Sequence, residues 1–398
     1  MSATHGASRT VMSLASLWLA LASCVAGTTP TSRSTGAPVN VASVWAADFA
    51  GSGRPSAAEA VARARAFGVI GAHPWTYRRD VPKMRQARPD LVLLAYMNGT
   101  FAQKGQVDAY PSSWYLRDEN GDKVRSRGFG NYLMDPTNRG WIADRVAACT
   151  RFLQISGYDG CLVDMLGTAP IHGWYVTAPP IDRGTGRPWT ASSWLAATSV
   201  LASTIRRDNP GATVMANGLG DGVRFFDTDA PSEQILSGID GGIAEGWLRA
   251  ATAPVDALPS VRAWRRDVDM LGATDKTILA ETKVWTAATP PQIDAWHVFA
   301  FASFLLGNEG NAFFAFSGSR RDVATPALEV AAGLGAPIGG YRTVGGMYQR
   351  RFSGGIVLVD PTDETLTTDL GGNFRTADGR VVSSITLPPY TGMILPRA

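Results

Sequence analysis

Val44-Trp-Ala-Ala-Asp-Phe49 reads as a first apolar strand, and the residues after it decide the fold. A doubly wound α/β sheet normally carries a Gly-rich phosphate loop after its first strand. No G-x-G-x-x-G stretch stands there in this chain. Short apolar segments instead alternate with amphipathic ones over about 280 residues, the size usual for a (β/α)8 barrel. Strands are read at 41–49, 69–73, 91–97, 160–166, 213–217, 242–247, 277–284 and 312–316. Helical periodicity falls at 56–67, 83–88, 141–155, 191–207, 261–271 and 291–306. From about Tyr341 the pattern changes to closely spaced, Gly-punctuated strands at 355–359, 365–370, 381–387 and 393–395. The fold class expected is α/β: a TIM barrel over 40–337, then a small all-β, sandwich-like domain over 338–398 packed on the barrel end.

The first residues read as a targeting segment, 1–24, with an apolar run from Val11 to Ala22 and small residues after it. Leu21-Ala-Ser-Cys24 resembles the lipobox of bacterial lipoproteins, which makes Cys24 a candidate lipid attachment site; an ordinary cleaved signal is the alternative. Residues 25–39, rich in Thr, Ser, Gly and Pro, suit a flexible tether. The expected location is secreted or cell-surface, with the membrane touched only through the N-terminal anchor. Cys149 and Cys161 remain, either as a disulfide between a helix and the strand it covers or as two buried thiols.

Charge excludes some functions. The 398 residues carry a net charge of +3 with Lys and Arg scattered, so the clustered phosphate-neutralising charge that nucleic acid requires is missing. After the leader only His73, His172 and His297 remain, with no His-x-His or His-Glu-x-x-His spacing, so no metal and no cofactor is expected. His297, in Ala-Trp-His-Val-Phe, reads as a core histidine. There is no G-x-S-x-G elbow and no Walker loop. The chain is expected to be a monomer.

In a barrel, catalytic side chains sit at the C-terminal ends of strands. That rule selects Asp164 on the fourth strand, Glu245 on the sixth and Glu281 on the seventh. Each follows apolar residues, so partial burial should raise its pKa. Asp159 lies at the other end of the fourth strand with opposite parity, and reads as a turn residue at the stability face. Glycoside hydrolysis needs one protonated and one ionised carboxyl, together with flat apolar faces for sugar rings. Among the 12 Trp and 10 Tyr residues, Trp45, Trp75, Tyr96, Trp247 and Trp285 recur at strand ends, and Trp174 and Tyr175 follow in the loop after the fourth strand. By parity, Glu245 shares a face with Trp247 and Glu281 with Trp285, if the strands stay regular. His73, Asn98 and Asn217 add polar groups at the same level. Trp45, His73, Trp75, Tyr96, Asn98, Asn217, Trp247 and Trp285 are the expected sugar-binding set. The run Arg320-Arg321-Asp322 after the eighth strand reads as a solvated loop, with an arginine for an anionic sugar as the alternative.

A resemblance sharpens this. Asn131-Tyr-Leu-Met-Asp-Pro-Thr-Asn-Arg-Gly-Trp141, running into Gly157-Tyr-Asp-Gly-Cys-Leu-Val-Asp-Met-Leu-Gly167, resembles the hypothetical glycosyl-hydrolase family fifteen of bacteria. Arg85-Gln-Ala-Arg-Pro-Asp-Leu-Val-Leu-Leu-Ala-Tyr96 and Met215-Ala-Asn-Gly218 fit the same pattern, and the match covers about 40–335. The resemblance implies a glycosidase in which Asp164 attacks the sugar and Glu245 donates the proton. Glu281 is implied either to bind hydroxyls or to replace Glu245. The other large barrel arrangement, an Asn-Glu pair on the fourth strand, is broken here because Val163 precedes an Asp. The competing expectation is a surface lipoprotein that holds glycan without cleaving it. A carboxyl separation of roughly 5–10 Å across a common cleft would favour hydrolysis.

Overall fold

The computed structural model describes residues 43–49, 54–106, 108–318 and 334–398. The leader with Cys24, the linker at 25–39 and Arg320-Arg321-Asp322 lie outside the described residues. Eight parallel strands form one sheet: β1 (Trp45–Ala47), β2 (Val69–Ala72), β3 (Val92–Asn98), β4 (Gly160–Asp164), β5 (Thr213–Asn217), β6 (Gly241–Ala244), β7 (Thr277–Lys283) and β8 (Ala312–Ser317). A parallel bridge between Val44 and Phe314 joins the last strand to the first, so the sheet closes into a barrel.

Side-chain parity explains both the core and the site. Leu94, Leu162, Met215, Ile243 and Leu279 point inward and fill the barrel with Trp45 and Val69. Their neighbours Leu93, Ala95, Cys161, Val163, Val214, Ala216, Ile278 and Ala280 point outward under the helices. Two residues further along each inward row come Tyr96, Asp164, Asn217, Glu245 and Glu281, so the same alternation that packs the interior aims these groups into the mouth.

The covering helices are α1 (Ala57–Ala66), α2 (Val81–Ala87), α3 (Arg139–Ser156), α4 (Ala191–Asp208), α5 (Gly222–Phe225), α6 (Val261–Met270) and α7 (Pro290–Gly307). Ser56 and Glu59 cap α1 reciprocally, Asn138 caps α3, and Gly157, at φ 69°, ends α3 in a left-handed turn only glycine adopts freely. Between β5 and β6, where the sequence shows no helical periodicity, the chain makes only the single turn of α5 and a 3-10 turn at Ser232–Leu236. Cys149 of α3 and Cys161 of β4 form a disulfide, S–S 2.01 Å. Asp159 accepts from Arg85 at 2.7 Å and from the Leu93 N–H at 2.8 Å, away from the mouth.

The tail forms a four-stranded antiparallel sheet of β9 (Pro337–Val344), β10 (Met347–Phe352), β11 (Gly355–Asp360) and β14 (Thr391–Pro396), with a hairpin of β12 (Leu366–Arg375) and β13 (Val381–Leu387). Met347, Ile356, Leu358, Leu370, Phe374, Leu387 and Leu395 fill the space between them, which makes a sandwich. It packs against the outer helices, with Trp264 of α6 on Tyr348 and Tyr390 on Phe299 of α7, rather than on the barrel end. The reason is in α7, whose Trp296, Phe299, Phe301, Phe304, Leu305 and Leu306 are buried on more than one side; an all-round apolar helix needs cover on its outer face too. Arg350, 1% exposed, donates to the carbonyls of Leu306 and Asn308 at 3.1 and 2.8 Å, satisfying the end of α7. Among the described residues no helix is long and apolar enough to cross a membrane.

Candidate active site

Asp164 ends β4, and the chain turns sharply behind it: Met165 has φ 65°, costly for a residue with a side chain. That turn brings the Met165 N–H to Asp164 Oδ1 at 2.7 Å. Asn217 Nδ2 donates to the same oxygen at 2.8 Å, and Tyr96 donates its hydroxyl to Oδ2 at 2.6 Å. Three donors from β3, the β4 turn and β5 therefore fix one carboxylate. Asn217 Nδ2 also donates to Glu245 Oε2 at 2.8 Å. The two oxygens it serves can be no further apart than the sum of these lengths, about 5.6 Å. Glu245's other oxygen is paired with Lys283, which also lies 3.5 Å from Glu281.

Burial and charge divide these groups. Burial, followed by the charge of Glu245, pushes Asp164 up to about 6 against the pull of its three donors. Burial also acts to raise Glu245, but the Lys283 charge and the hydrogen bonds from Asn217 and Lys283 outweigh it and hold the carboxyl below its usual value. The Glu245 side chain is 48% exposed, so water further limits the burial effect. Glu281, 7% exposed, is pushed up to about 7 by burial and by Glu245, with Lys283 opposing. Lys283 is only 4% exposed; burial alone would lower it, but the two glutamates raise it, so it stays charged. The result is a buried cation beneath an exposed carboxylate, beside a second, partly protonated one.

The aromatic expectations divide. Trp75, 53% exposed, stacks on His73 at 4.7 Å, and Trp285 is half-buried with Nε1 on Ser317 at 2.9 Å and Lys283 over its ring at 4.5 Å. All three stand at the mouth. Trp45 does not: it is 1% exposed inside the barrel, its Nε1 on the Ala280 carbonyl at 3.1 Å, because its inward row places it a layer below the carboxylates. Trp247 does not either. β6 ends at Ala244 and Leu248 takes φ 66°, so the alternation fails and the indole swings outward among Phe304 and Phe314, fully buried. Tyr96 is present but not as a stacking face; Phe49 covers its ring at 4.5 Å and its hydroxyl holds Asp164. Asn98 uses its Oδ1 to accept from Thr100 and Phe101, shaping the turn after β3. Lys283 was missed by sequence reasoning, although it shares the inward parity of Glu281 two residues on. Among the described residues no three His, Cys, Asp or Glu side chains gather as a metal site.

Beside the carboxylates a hollow of about 430 Å³ opens between the segments after β4, β5 and β6, with Asn217 and Glu245 at its inner end. Residues 85–356 match the model of hypothetical glycosyl hydrolase family 15. The chain belongs to that family. Among solved structures, this family 15 chain is similar to a noncanonic maltogenic α-amylase AmyB from Thermotoga neapolitana, at 12% identity and a TM-score of 0.51, covering 90% of this chain and 99% of that one. It is also similar to Eubacterium rectale Amy13B, at 9% identity and 0.53, covering 91% and 97%. At such identities the likeness shows the fold alone, a TIM barrel with a C-terminal β-domain. No curated protein matches the chain. Family membership makes this a glycosidase acting on carbohydrate.

Proposed function

We propose that this family 15 protein cleaves glycosidic bonds with retention of configuration, using Asp164 and Glu245. The observation that carries this is Asn217, one amide nitrogen donating to both carboxylates and holding the two oxygens it serves within about 5.6 Å of each other. Retaining glycosidases keep their carboxyls at roughly 5–5.5 Å, whereas inverting ones need about 6.5–9.5 Å to seat a water. Asp164, fixed by three donors, attacks the anomeric carbon as the C–O bond to the leaving sugar breaks and Glu245 gives its proton to that oxygen. Water then attacks the glycosyl ester, Glu245 takes a proton from it, and Asp164 departs. Lys283 stabilises the Glu245 anion each time it forms, and Glu281 positions Lys283. Trp75 and Trp285 offer flat faces for sugar rings.

One observation favours the opposite division of labour. Lys283 keeps Glu245 ionised while Asp164 carries the proton more readily, which suits Glu245 as nucleophile and Asp164 as acid. Rescue by azide separates the two, because the variant lacking the acid forms a glycosyl azide of retained configuration and the variant lacking the nucleophile an inverted one. The first test is turnover on a polysaccharide panel with reducing-end detection. Asp164→Asn and Glu245→Gln should each lose at least about 100-fold. If both stay within a few-fold of wild type the pair is not catalytic. Sugar binding without any turnover would instead support the non-cleaving, glycan-holding surface protein.

We also propose that the chain is exported and tethered through Cys24. The Cys149–Cys161 disulfide supports an oxidising destination; acyl-chain labelling that Cys24→Ala leaves undiminished would sink the anchor.

A further inference from the structure

The bond-breaking steps use only the inner end of the hollow beside Glu245. Its inner end is Glu245 and Asn217, and one wall is the loop after β4, carrying His172 and Trp174. Trp174 is 68% exposed, which leaves one of the largest apolar faces of the protein in water. Its ring is nonetheless placed. It lies nearly parallel to His172, 13° between planes, and perpendicular to Tyr175 at 5.6 Å. Tyr175 reaches the sulfur of Met165 at 3.5 Å, so the indole is tied to the residue that follows Asp164. The segment after β5 adds polar lining: Arg224, Asp227 and Asp229. Asp227 spends one carboxylate oxygen on the N–H groups of Asp229 and Ala230, which fixes its position on the rim.

An indole and hydrogen-bonding charges lining one space of small-molecule size match a sugar ring, apolar on its C–H face and ringed by hydroxyls. Order around the barrel gives the direction. Trp75 and His73 follow β2 and stand on the Tyr96 side of Asp164, whereas the hollow lies between the segments after β4 and β6, on the Glu245 side. A proton donor stands next to the oxygen that leaves. We propose that this hollow is the leaving-group subsite, binding the sugar unit released when the bond is cut, with Trp174 as its stacking platform. This rests on the hydrolase reading above and on Glu245 as its acid.

The experiment compares wild type and Trp174→Ala on the oligosaccharide found active in the panel and on the 4-nitrophenyl glycoside of the same sugar, whose leaving group is no sugar. The oligosaccharide kcat/KM should fall at least ten times further than that of the aryl glycoside. With the aryl glycoside as donor and the free sugar added as acceptor, elongated product should fall at least five-fold. Trp174→Phe, which keeps a ring, should recover part of both losses. Equal losses on the two substrates would move Trp174 to the other side of the cut bond and overturn the proposal. So would an oligosaccharide rate within two-fold of wild type, while the hydrolase reading stood. Wild type inert on the whole panel would remove the hydrolase reading, and the leaving-group subsite with it.

Discussion

At the scale of single residues, the proposed mechanism needs a proton shared between two carboxyls and a lysine that biases where it rests. The pair titrates together, so the limbs of a kcat/KM profile belong to both groups. In that mechanism the active form holds one proton, whichever carboxyl carries it. Activity should therefore rise from below the ordinary glutamate range, where Lys283 and Asn217 hold Glu245, and fall as pH passes about 6, where Asp164 ionises. Lys283→Met removes the charge that favours the Glu245 anion, so both limbs should move to higher pH, by about one to three units. A profile unmoved by that change would show that Lys283 does not set the proton. Much of this constellation was legible, because parity along an inward row is a property of sequence: Asp164, Asn217, Glu245 and Glu281 share a mouth for the same reason that Leu162, Met215, Ile243 and Leu279 share a core. Parity says nothing of depth along the barrel axis, which is why Trp45 was expected at the mouth and lies beneath it. Nor does it say where a strand stops, which is why Trp247 was paired with Glu245 and faces the other way.

At the scale of elements, one tie holds the strand that carries Asp164 and another joins two of the covering helices. The Cys149–Cys161 bond joins α3 to β4 three residues before Asp164, across a sequence separation of 12. Closing a loop of this size stabilises by about 3 kcal/mol, chiefly through the unfolded chain. Cys149→Ala with Cys161→Ala should lose on the order of that amount in urea unfolding, and added reductant should then have no further effect. Equal midpoints with and without the cysteines would mean the bond is not formed. The second tie is Asp267 of α6, buried, which accepts the Gly222 N–H of α5 at 2.6 Å. Burial pushes this carboxyl up to about 8. A raised folded value means the stabilisation is complete below the unfolded carboxyl range and is lost as pH rises through about 8. Asp267→Asn keeps an acceptor oxygen without the charge, so it should gain at least about 1 kcal/mol over wild type at pH 9. Urea midpoints that fall equally for both proteins between pH 5 and 9 would refute this. Helix periodicity found most of these elements in the sequence, since amphipathic stripes survive in α4 and α6. It could not find α5, a single turn whose position depends on Asp267 and a tight backbone approach rather than on any repeat.

At the scale of the whole molecule, the C-terminal sandwich completes the barrel's outer layer. The sequence announced the sandwich through its closely spaced strands, but the partner it covers is visible only once α7 is seen apolar around its circumference. The contact is close at Gly392 of β14: a Cβ there would lie 2.6 Å from Ala302 Cβ and 2.9 Å from the Val298 carbonyl oxygen. Backbone cannot yield as a flexible side chain would, so Gly392→Val must push the sheet from the helix or strain both, costing about 1–3 kcal/mol. If the sandwich were an independent module, that cost would appear as a separate early transition with the barrel's own melting unchanged. Because α7 carries Phe299 and Ala302 toward the sheet and Phe304 toward Trp247 in the same turns, the covered face and the barrel core are one helix. The expected result is a single calorimetric transition that shifts to lower temperature as a whole, with glycosidase activity lost along the same curve. Two resolved transitions, the barrel's activity surviving the first, would show that α7 stands without its cover.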